Sequence, residues 1–394
     1  MGYATRLHTY IDRYPAKMVG RLAEHLIARY AKRCARLLDP FCGSGAILKA
    51  ATKLDIPVVG VDVNPYAVLL SRVKVEGFRH SIGDRLCQAT VAMARGCSSR
   101  YPIDWLGTDY WFTPATIQKY ERLRHAAREL ELSETPEGRA VLLAFALSIR
   151  RCSRADQRSP KPFISRYARE RRRGRHFDPI AEVERLYWEL RQLYGRQTKA
   201  RAEVFWGDIL GEVGGEFPVG TFSHVVTSPP YINAQDYFRN CKLELYLLEG
   251  VLPFEAEGLK WRFVGTERGP LLVGLTDKAK EAHRQLLPVL GKIERRHPRQ
   301  AAVVQRYLYD MGRAFDKISS CVSEGGVVVV VCGDNLVGGH SIATWAVLNR
   351  LLEERGFALM ESFGDEISCR NVPPRRMGHK GLIKREVVSA FVKR

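Results

Sequence analysis

Asp39-Pro40-Phe41-Cys42-Gly43-Ser44-Gly45 is the stretch on which the fold turns. The residues leading into it, Arg36-Leu37-Leu38-Asp39, read as a short buried strand, and Ala46 to Leu54 beyond it read as a helix. The heptapeptide is therefore a strand-to-helix turn. Its two glycines let the backbone approach a ligand, and the helix start offers amide donors that lack intrahelical partners. Pro57 to Asp62 reads as a second, parallel strand, which completes a βαβ unit. Asp62 ends that strand where an acidic side chain can accept hydrogen bonds from both hydroxyls of a ribose. Each feature has an explanation without a ligand, the glycines as a tight turn and Asp62 as a helix N-cap before Pro65; together they favour a nucleoside-bearing cofactor. A dinucleotide fits less well, because the GxGxxG spacing is missing, and no GKS or GKT follows to make a phosphate loop.

Outward from this unit, Pro15 to Lys32 carries apolar positions at helical spacing (Met18, Leu22, Leu26, Ile27, Tyr30). From Tyr66 to Lys199 the pattern stays mostly helical, with a loop near Ser98 to Asp109 and a basic, turn-rich stretch from Arg150 to Arg175. Strand patterns resume at Glu203 to Trp206, Phe222 to Thr227, Val327 to Cys332, Ala358 to Phe363 and Val387 to Val392. The expected architecture is α/β, with a sheet of about seven strands and a large helical insertion after the second. Three regions follow: residues 1–65 with the first helix and βαβ unit, 66–200 as the helical insertion, and 201–394 as the remainder of the core, with a further candidate recognition segment at 249–300.

Lys plus Arg number 62 against 43 for Asp plus Glu, a net charge of +19. Such an excess favours a polyanionic partner, since clustered cations gain by displacing phosphate counterions. The nine cysteines are scattered, with no CxxC pair and no Cys/His cluster at zinc spacing, so a metal centre is not expected and reduced thiols of a cytoplasmic protein are. No charged-then-apolar leader opens the sequence, and the apolar runs Ala140 to Ile149 and Val327 to Cys332 are too short to span a bilayer.

The stretch DPFCGSG resembles motif I of the amino-methylating (cytosine-N4 and adenine-N6) DNA methyltransferases, and Thr227-Ser228-Pro229-Pro230-Tyr231 resembles their catalytic S/D/N-P-P-Y/F motif. Tyr14-Pro15-Ala16-Lys17-Met18 looks like the family's motif X, which closes over the methionine end of the cofactor, and Gly207-Asp208 looks like its adenine-side acidic motif. Asn233, Asp236, Tyr237 and Lys242, and Gly333-Asp334-Asn335, look like further elements of bacterial members. The resemblance implies a class I, Rossmann-like methyltransferase sheet whose last two strands form an antiparallel hairpin. It implies S-adenosyl-L-methionine as cofactor, held by Tyr14, Pro15, Lys17, Asp39 to Gly45, Asp62, Val63, Asn64 and Asp208. It further implies double-stranded DNA as substrate and a cognate restriction endonuclease or other defence component as partner.

An exocyclic amino group is a poor nucleophile because its lone pair is delocalised into the base. By the same resemblance, the Ser228 side chain and the Pro229 carbonyl accept hydrogen bonds from the amino hydrogens and aim the lone pair, while the paired prolines stiffen the turn. Tyr231 is expected to stack on a base rotated out of the duplex. Attack by a cysteine on the ring carbon needs a Pro-Cys pair, and no cysteine here follows a proline; Cys42 is read as filling its turn. Ser at the first motif position, preceded by Thr227, resembles the cytosine-N4 enzymes more than the adenine-N6 enzymes, which more often carry Asp or Asn. Between Arg150 and Arg175 stand eleven Arg or Lys residues, of which Arg151, Arg154 and Arg158 are candidate phosphate contacts, as are Arg375 and Arg376 between the last two strands. The competing functions are an RNA base methyltransferase and a catalytically silent, cofactor-binding DNA regulator.

Overall fold

The computed structural model describes residues 18–31, 36–159, 161–172, 177–194, 201–211, 222–232, 236–266, 276–366 and 385–394. Seven strands form one sheet: β1 (Leu37–Asp39), β2 (Val58–Asp62), β3 (Ala202–Trp206), β4 (Phe222–Thr227), β5 (Val322–Gly333), β6 (Phe357–Glu366) and β7 (Arg385–Lys393). Their spatial order is β3-β2-β1-β4-β5-β7-β6. The first five are parallel, with Leu38 paired to Val59 on one side and Val225 on the other. β7 inserts antiparallel between β5 and β6, which gives the terminal hairpin that the resemblance implied. Five successive valines, Val327 to Val331, form the middle of β5, as suits a strand covered on both faces.

The helices named below are α1 (Gly20–Leu26), α2 (Ala46–Lys53), α3 (Pro65–Glu76), α4 (His80–Gly96), α5 (Pro114–Glu129), α6 (Pro136–Cys152), α7 (Pro179–Tyr194), α8 (Tyr237–Leu248), α9 (Pro298–Cys321) and α10 (Thr344–Glu353). Within the span expected to be one helix from Pro15 to Lys32, α1 covers seven residues and passes at Ile27 into a π-helical turn that ends at Ala31. Several starts follow local rules. Asn64 caps α3 ahead of Pro65, Thr113 caps α5 ahead of Pro114, and Thr135 caps α6 ahead of Pro136.

Three apolar clusters organise the packing. Leu22, Leu26, Ile47, Leu48 and Val68 pack with Val58, Val329 and Val388 against one side of the sheet, and α9 and α10 pack with Val225, Val328 and Phe391 against the other. The third joins α4 to α7 with α3 and α8, through Leu69, Val73, Tyr120, Phe145, Tyr187 and Leu245. Among the described residues, the strand side chain that packs against it is the partly buried Trp206, so the helical insertion rests on α3 and α8 rather than on the sheet. Arg139 of α6 grips Glu76 at the end of α3 through two nitrogens, at 2.8 and 2.9 Å.

Between β1 and β4 the chain direction of the crossovers reverses, and such a switch point leaves a crevice at the carboxyl ends of the strands. Gly45 sits at that crevice with φ of 74°, and a Cβ there would lie 2.8 Å from Ser71 Oγ. Gly45→Ala is expected to cost about 1–3 kcal/mol from the left-handed backbone and the contact, read as a lower urea midpoint at unchanged slope.

Candidate active site

The glycine turn is held from three directions. Cys42 N–H donates to the Val61 carbonyl at 3.0 Å, which ties the turn to β2. Gly43 N–H donates to Asp62 Oδ2 at 2.7 Å, and Asn64 N–H donates to Asp62 Oδ1 at 2.8 Å. From α3, Ser71 Oγ donates to the Gly43 carbonyl and buried Lys74 Nζ to the Ser44 carbonyl, both at 2.7 Å. Asn64, not Asp62, caps α3, with its Oδ1 accepting from Tyr66 N–H at 3.1 Å. Asp62 is thereby released from the capping role, and its carboxylate stands at the pocket. Cys42 is buried, and a Cβ on Gly60 would come 3.1 Å from its own, so the thiol fills the turn as expected.

Electrostatically the turn is acidic. Burial raises the Asp39 carboxyl to about 7 and the Asp62 carboxyl to about 6, against the pull of their hydrogen bonds. The charged neighbour acting on Asp62 is Asp208, of like sign. Asp208 closes the same wall, its Oδ1 accepting from Leu210 N–H at 2.9 Å just past β3.

The SPPY turn follows β4 directly and is joined to the glycine turn by a buried bond. Thr227 Oγ1, fully buried, donates to Asp39 Oδ1 at 2.8 Å. Past the turn, Asn335 Nδ2 donates to the Ile232 carbonyl at 2.9 Å, and Thr344 Oγ1 donates to Asn335 Oδ1 at 2.9 Å. The Asn335 signal thus belongs to a brace on the loop after SPPY. Tyr231 is 6 % exposed and donates to Glu386 Oε1 of β7 at 2.6 Å.

Both turns open onto one pocket of about 780 Å³, mouth included, within the usual range for small-molecule sites. Asp39 to Ser44, Asp62, Val63 and Asp208 line it on one side, and Ser228, Pro230 and Tyr237 on the other. Met18, the last residue of the YPAKM stretch, also faces it. Its aromatic lining among the described residues is Phe41, Tyr237 and Phe263, with Tyr237 and Phe263 stacked at 6.4 Å and 10°. The Tyr231 ring is turned instead to Glu386. Arg262, Phe263 and Val264 also line the pocket. Nothing in their own residue pattern marks them beyond their place within the 249–300 segment.

Of the other expected contacts, Asp236 caps α8 through Arg239 N–H at 2.9 Å, and Lys242 Nζ lies 4.5 Å from the centre of the Trp111 ring. The chosen cations of the basic run are tied into the protein. Arg151 pairs with Glu182, Arg154 donates to the Asp109 carbonyl at 2.5 Å, and Arg158 pairs with Asp156 at 2.6 Å while lying over Tyr167. Tyr14, Pro15, Lys17, Asn233, Arg375 and Arg376 lie outside the described residues. Among the described residues, no group of three or more His, Cys, Asp or Glu side chains could hold a metal ion, and no helix is long and apolar enough to cross a membrane.

Strand order, a switch-point pocket and a glycine turn facing an acid define a class I SAM-dependent methyltransferase fold. The model of a DNA methylase family, N6_N4_Mtase, matches residues 3–72 of the chain. Type II methyltransferase M.MjaII of Methanocaldococcus jannaschii is 29% identical over 68 residues, 17% of this chain, and the match spans 13% of that relative's length. These two matches support kinship with the amino-methylating DNA methyltransferases. Among solved structures, a TehB-like SAM-dependent methyltransferase from Corynebacterium glutamicum aligns at TM-score 0.32 and 11% identity, over 100% of this chain and 96% of that one. The rRNA methyltransferase aviRa from Streptomyces viridochromogenes aligns at 0.28 and 11%, over 98% and 92%. Likeness at that level leaves the fold resting on the strand order itself.

The raised Asp39 carboxyl carries a sign. Ionised above about 7 in the folded chain but above 3.8 when unfolded, it contributes stability that is present at low pH and lost as pH rises through that window. Asn at position 39 keeps the acceptor for Thr227 and has no charge to bury. Asp39→Asn is therefore expected to melt above the parent at pH 8, with the difference shrinking toward pH 4 in a thermal series.

Proposed function

We propose that the chain is a DNA methyltransferase that places a methyl group on the exocyclic amino nitrogen of a base, with cytosine N4 the preferred position and adenine N6 the second. The observation that carries the proposal is the single pocket lined by Gly43 and Asp62 on one side and by Ser228 and Pro230 on the other. The family match of residues 3–72 points the same way. The residues present suit an adenosyl cofactor: Asp62 is partly buried, fixed by two amides and has Asp208 as its charged neighbour, so hydroxyl donors from a ribose would stabilise its ionised form.

S-adenosyl-L-methionine, when bound, supplies an electrophilic methyl group on sulfur. The chain's own residues do the rest. Asp62 would accept from the ribose hydroxyls, Asp208 would face the adenine, and the glycine turn would admit the chain of the methionine end. Ser228 Oγ and the Pro229 carbonyl would hold the amino hydrogens, a fixed acceptor pair that favours the pyramidal nitrogen of the transition state. Thr227 sets where that pair stands by its bond to Asp39. Tyr237 and Phe263 provide an aromatic wall beside them, a suitable surface for a flipped base.

Labelled cofactor incubated with unmethylated duplex DNA or with total RNA, followed by digestion to nucleosides, tests the assignment. The expected product is N4-methylcytosine in DNA; label found only in RNA would transfer the function to the RNA class, and label in neither would favour the silent regulator. Ser228→Ala is expected to lower turnover on the order of a hundredfold with cofactor affinity kept. Cofactor affinity should weaken as pH falls below about 6, where the Asp62 carboxyl takes a proton and ceases to be a double acceptor. A flat binding curve from pH 8 to 5 by calorimetry would remove Asp62 from that role.

A further inference from the structure

The segment that follows the short helix Ala256–Leu259 presses its backbone onto the SPPY turn. Gly265 has φ of 80°, and a Cβ there would lie 3.0 Å from the Tyr231 carbonyl, so glycine is what lets the two backbones meet. Phe263, two residues earlier, stacks on Tyr237 and packs on Phe238, which fixes the segment to the start of α8 as well. Arg262 is thereby delivered to the lining of the pocket that Ser228 and Pro230 also line.

Arg262 is the one cation among the described residues that line this pocket, which otherwise carries Asp39, Asp62 and Asp208. The contacts of Gly265 with the Tyr231 carbonyl and of Phe263 with Tyr237 tie the segment that carries Arg262 to the SPPY side of the pocket. A guanidinium placed there suits a planar pair of anionic oxygens, which it can grip through two parallel hydrogen bonds. A base brought to Ser228 arrives attached to its own sugar and phosphate, and that phosphate must pass the rim on the same side.

We infer that Arg262, held by the Gly265 contact with SPPY, binds a backbone phosphate of the target nucleotide and so makes the 260–265 segment part of the DNA-binding surface. The inference rests on the methyl-transfer proposal above, and it assigns the anion to the nucleic acid rather than to the carboxylate of the cofactor.

Three measurements on the full chain decide it: binding of fluorescent mixed-sequence duplex DNA over a salt series, calorimetric binding of S-adenosylmethionine, and methyl transfer to sheared unmethylated DNA. Arg262→Ala is expected to raise the KM for DNA about tenfold and to reduce the slope of log affinity against log salt by about one, with cofactor affinity within about twofold of the parent. Arg262→Lys, which keeps the charge but not the fork, should restore the slope while recovering KM only in part. A thermal melt of each variant separates loss of contact from loss of fold, because misfolding would lower cofactor binding as well. Loss of cofactor affinity with an unchanged salt slope would overturn the inference in favour of the cofactor carboxylate, and no change in either would overturn it outright. A parent chain that binds DNA but transfers no methyl would overturn the methyl-transfer proposal, while the salt slope would still decide Arg262.

Discussion

The bond from Thr227 to Asp39 is the constraint around which the site is arranged. It joins the carboxyl ends of β1 and β4, the two neighbours whose crossovers leave in opposite directions, at the point where the sheet opens into a crevice. A carboxyl group buried so completely could not be held there ionised without compensation, and its raised pKa reflects that cost. The hydroxyl of Thr227 and the amide of Phe41 are what it receives in return. Because the acceptor belongs to the glycine turn and the donor immediately precedes Ser228, the same bond sets the separation of the two halves of the pocket. Catalysis by positioning depends on such separations more than on any single reactive group.

The parts of this arrangement that could be read in the sequence are those with local signatures. Glycines at a strand-to-helix turn, an acid at the end of the next strand and a run of valines each announce a backbone requirement, and the strands stand within a few residues of where alternation and β-branching placed them. Val322 to Gly333 is longer than the apolar run suggested because Gly325 and Gly326 lie inside it, at a register shift against β4. What depends on contacts between distant segments was not legible. Thr227 stands at the end of a strand and the head of the SPPY motif, but no local pattern announces its bond to Asp39. Arg262 has no mark of its own, since a cation in a polar segment is usually solvated, and only the fold brings it to the pocket that Ser228 lines. Tyr231 carries a motif position, yet its partner Glu386 is 155 residues away, and no spacing rule foretells that bond.

The basic run illustrates the same limit from the opposite direction. Its density of arginine invited a phosphate-binding reading, but an arginine also makes an effective internal clamp, because its planar fork can satisfy several acceptors at once. Arg151 and Arg158 each use a carboxylate supplied by the insertion itself, Glu182 and Asp156, and Arg154 holds the carbonyls of Asp109 and Tyr110. Charge that is paired within the chain contributes little to the long-range field. The net charge of the protein therefore says that a polyanion is favoured without saying which cations meet it.

These clamps give the insertion a second meaning. It is built on α3 and α8, and each of those helices serves one half of the pocket with its other face. α3 holds the Gly43 and Ser44 carbonyls through Ser71 and Lys74 while burying Leu69, Leu70 and Val73 in the helical cluster. α8 offers Tyr237 to the pocket at its first residue while burying Leu245 and Tyr246 in that cluster, where Tyr246 stacks on Trp105 at 4.4 Å. A close-packed interior passes displacement on rather than absorbing it. A shift of the insertion would accordingly bear on the glycine turn and the aromatic wall together, through two helices of which α3 is also tied to the sheet by Val68 and by the Arg72 bond to the Val204 carbonyl at 2.9 Å. The lobe is thus structurally part of the site, through the two helices it shares with the pocket.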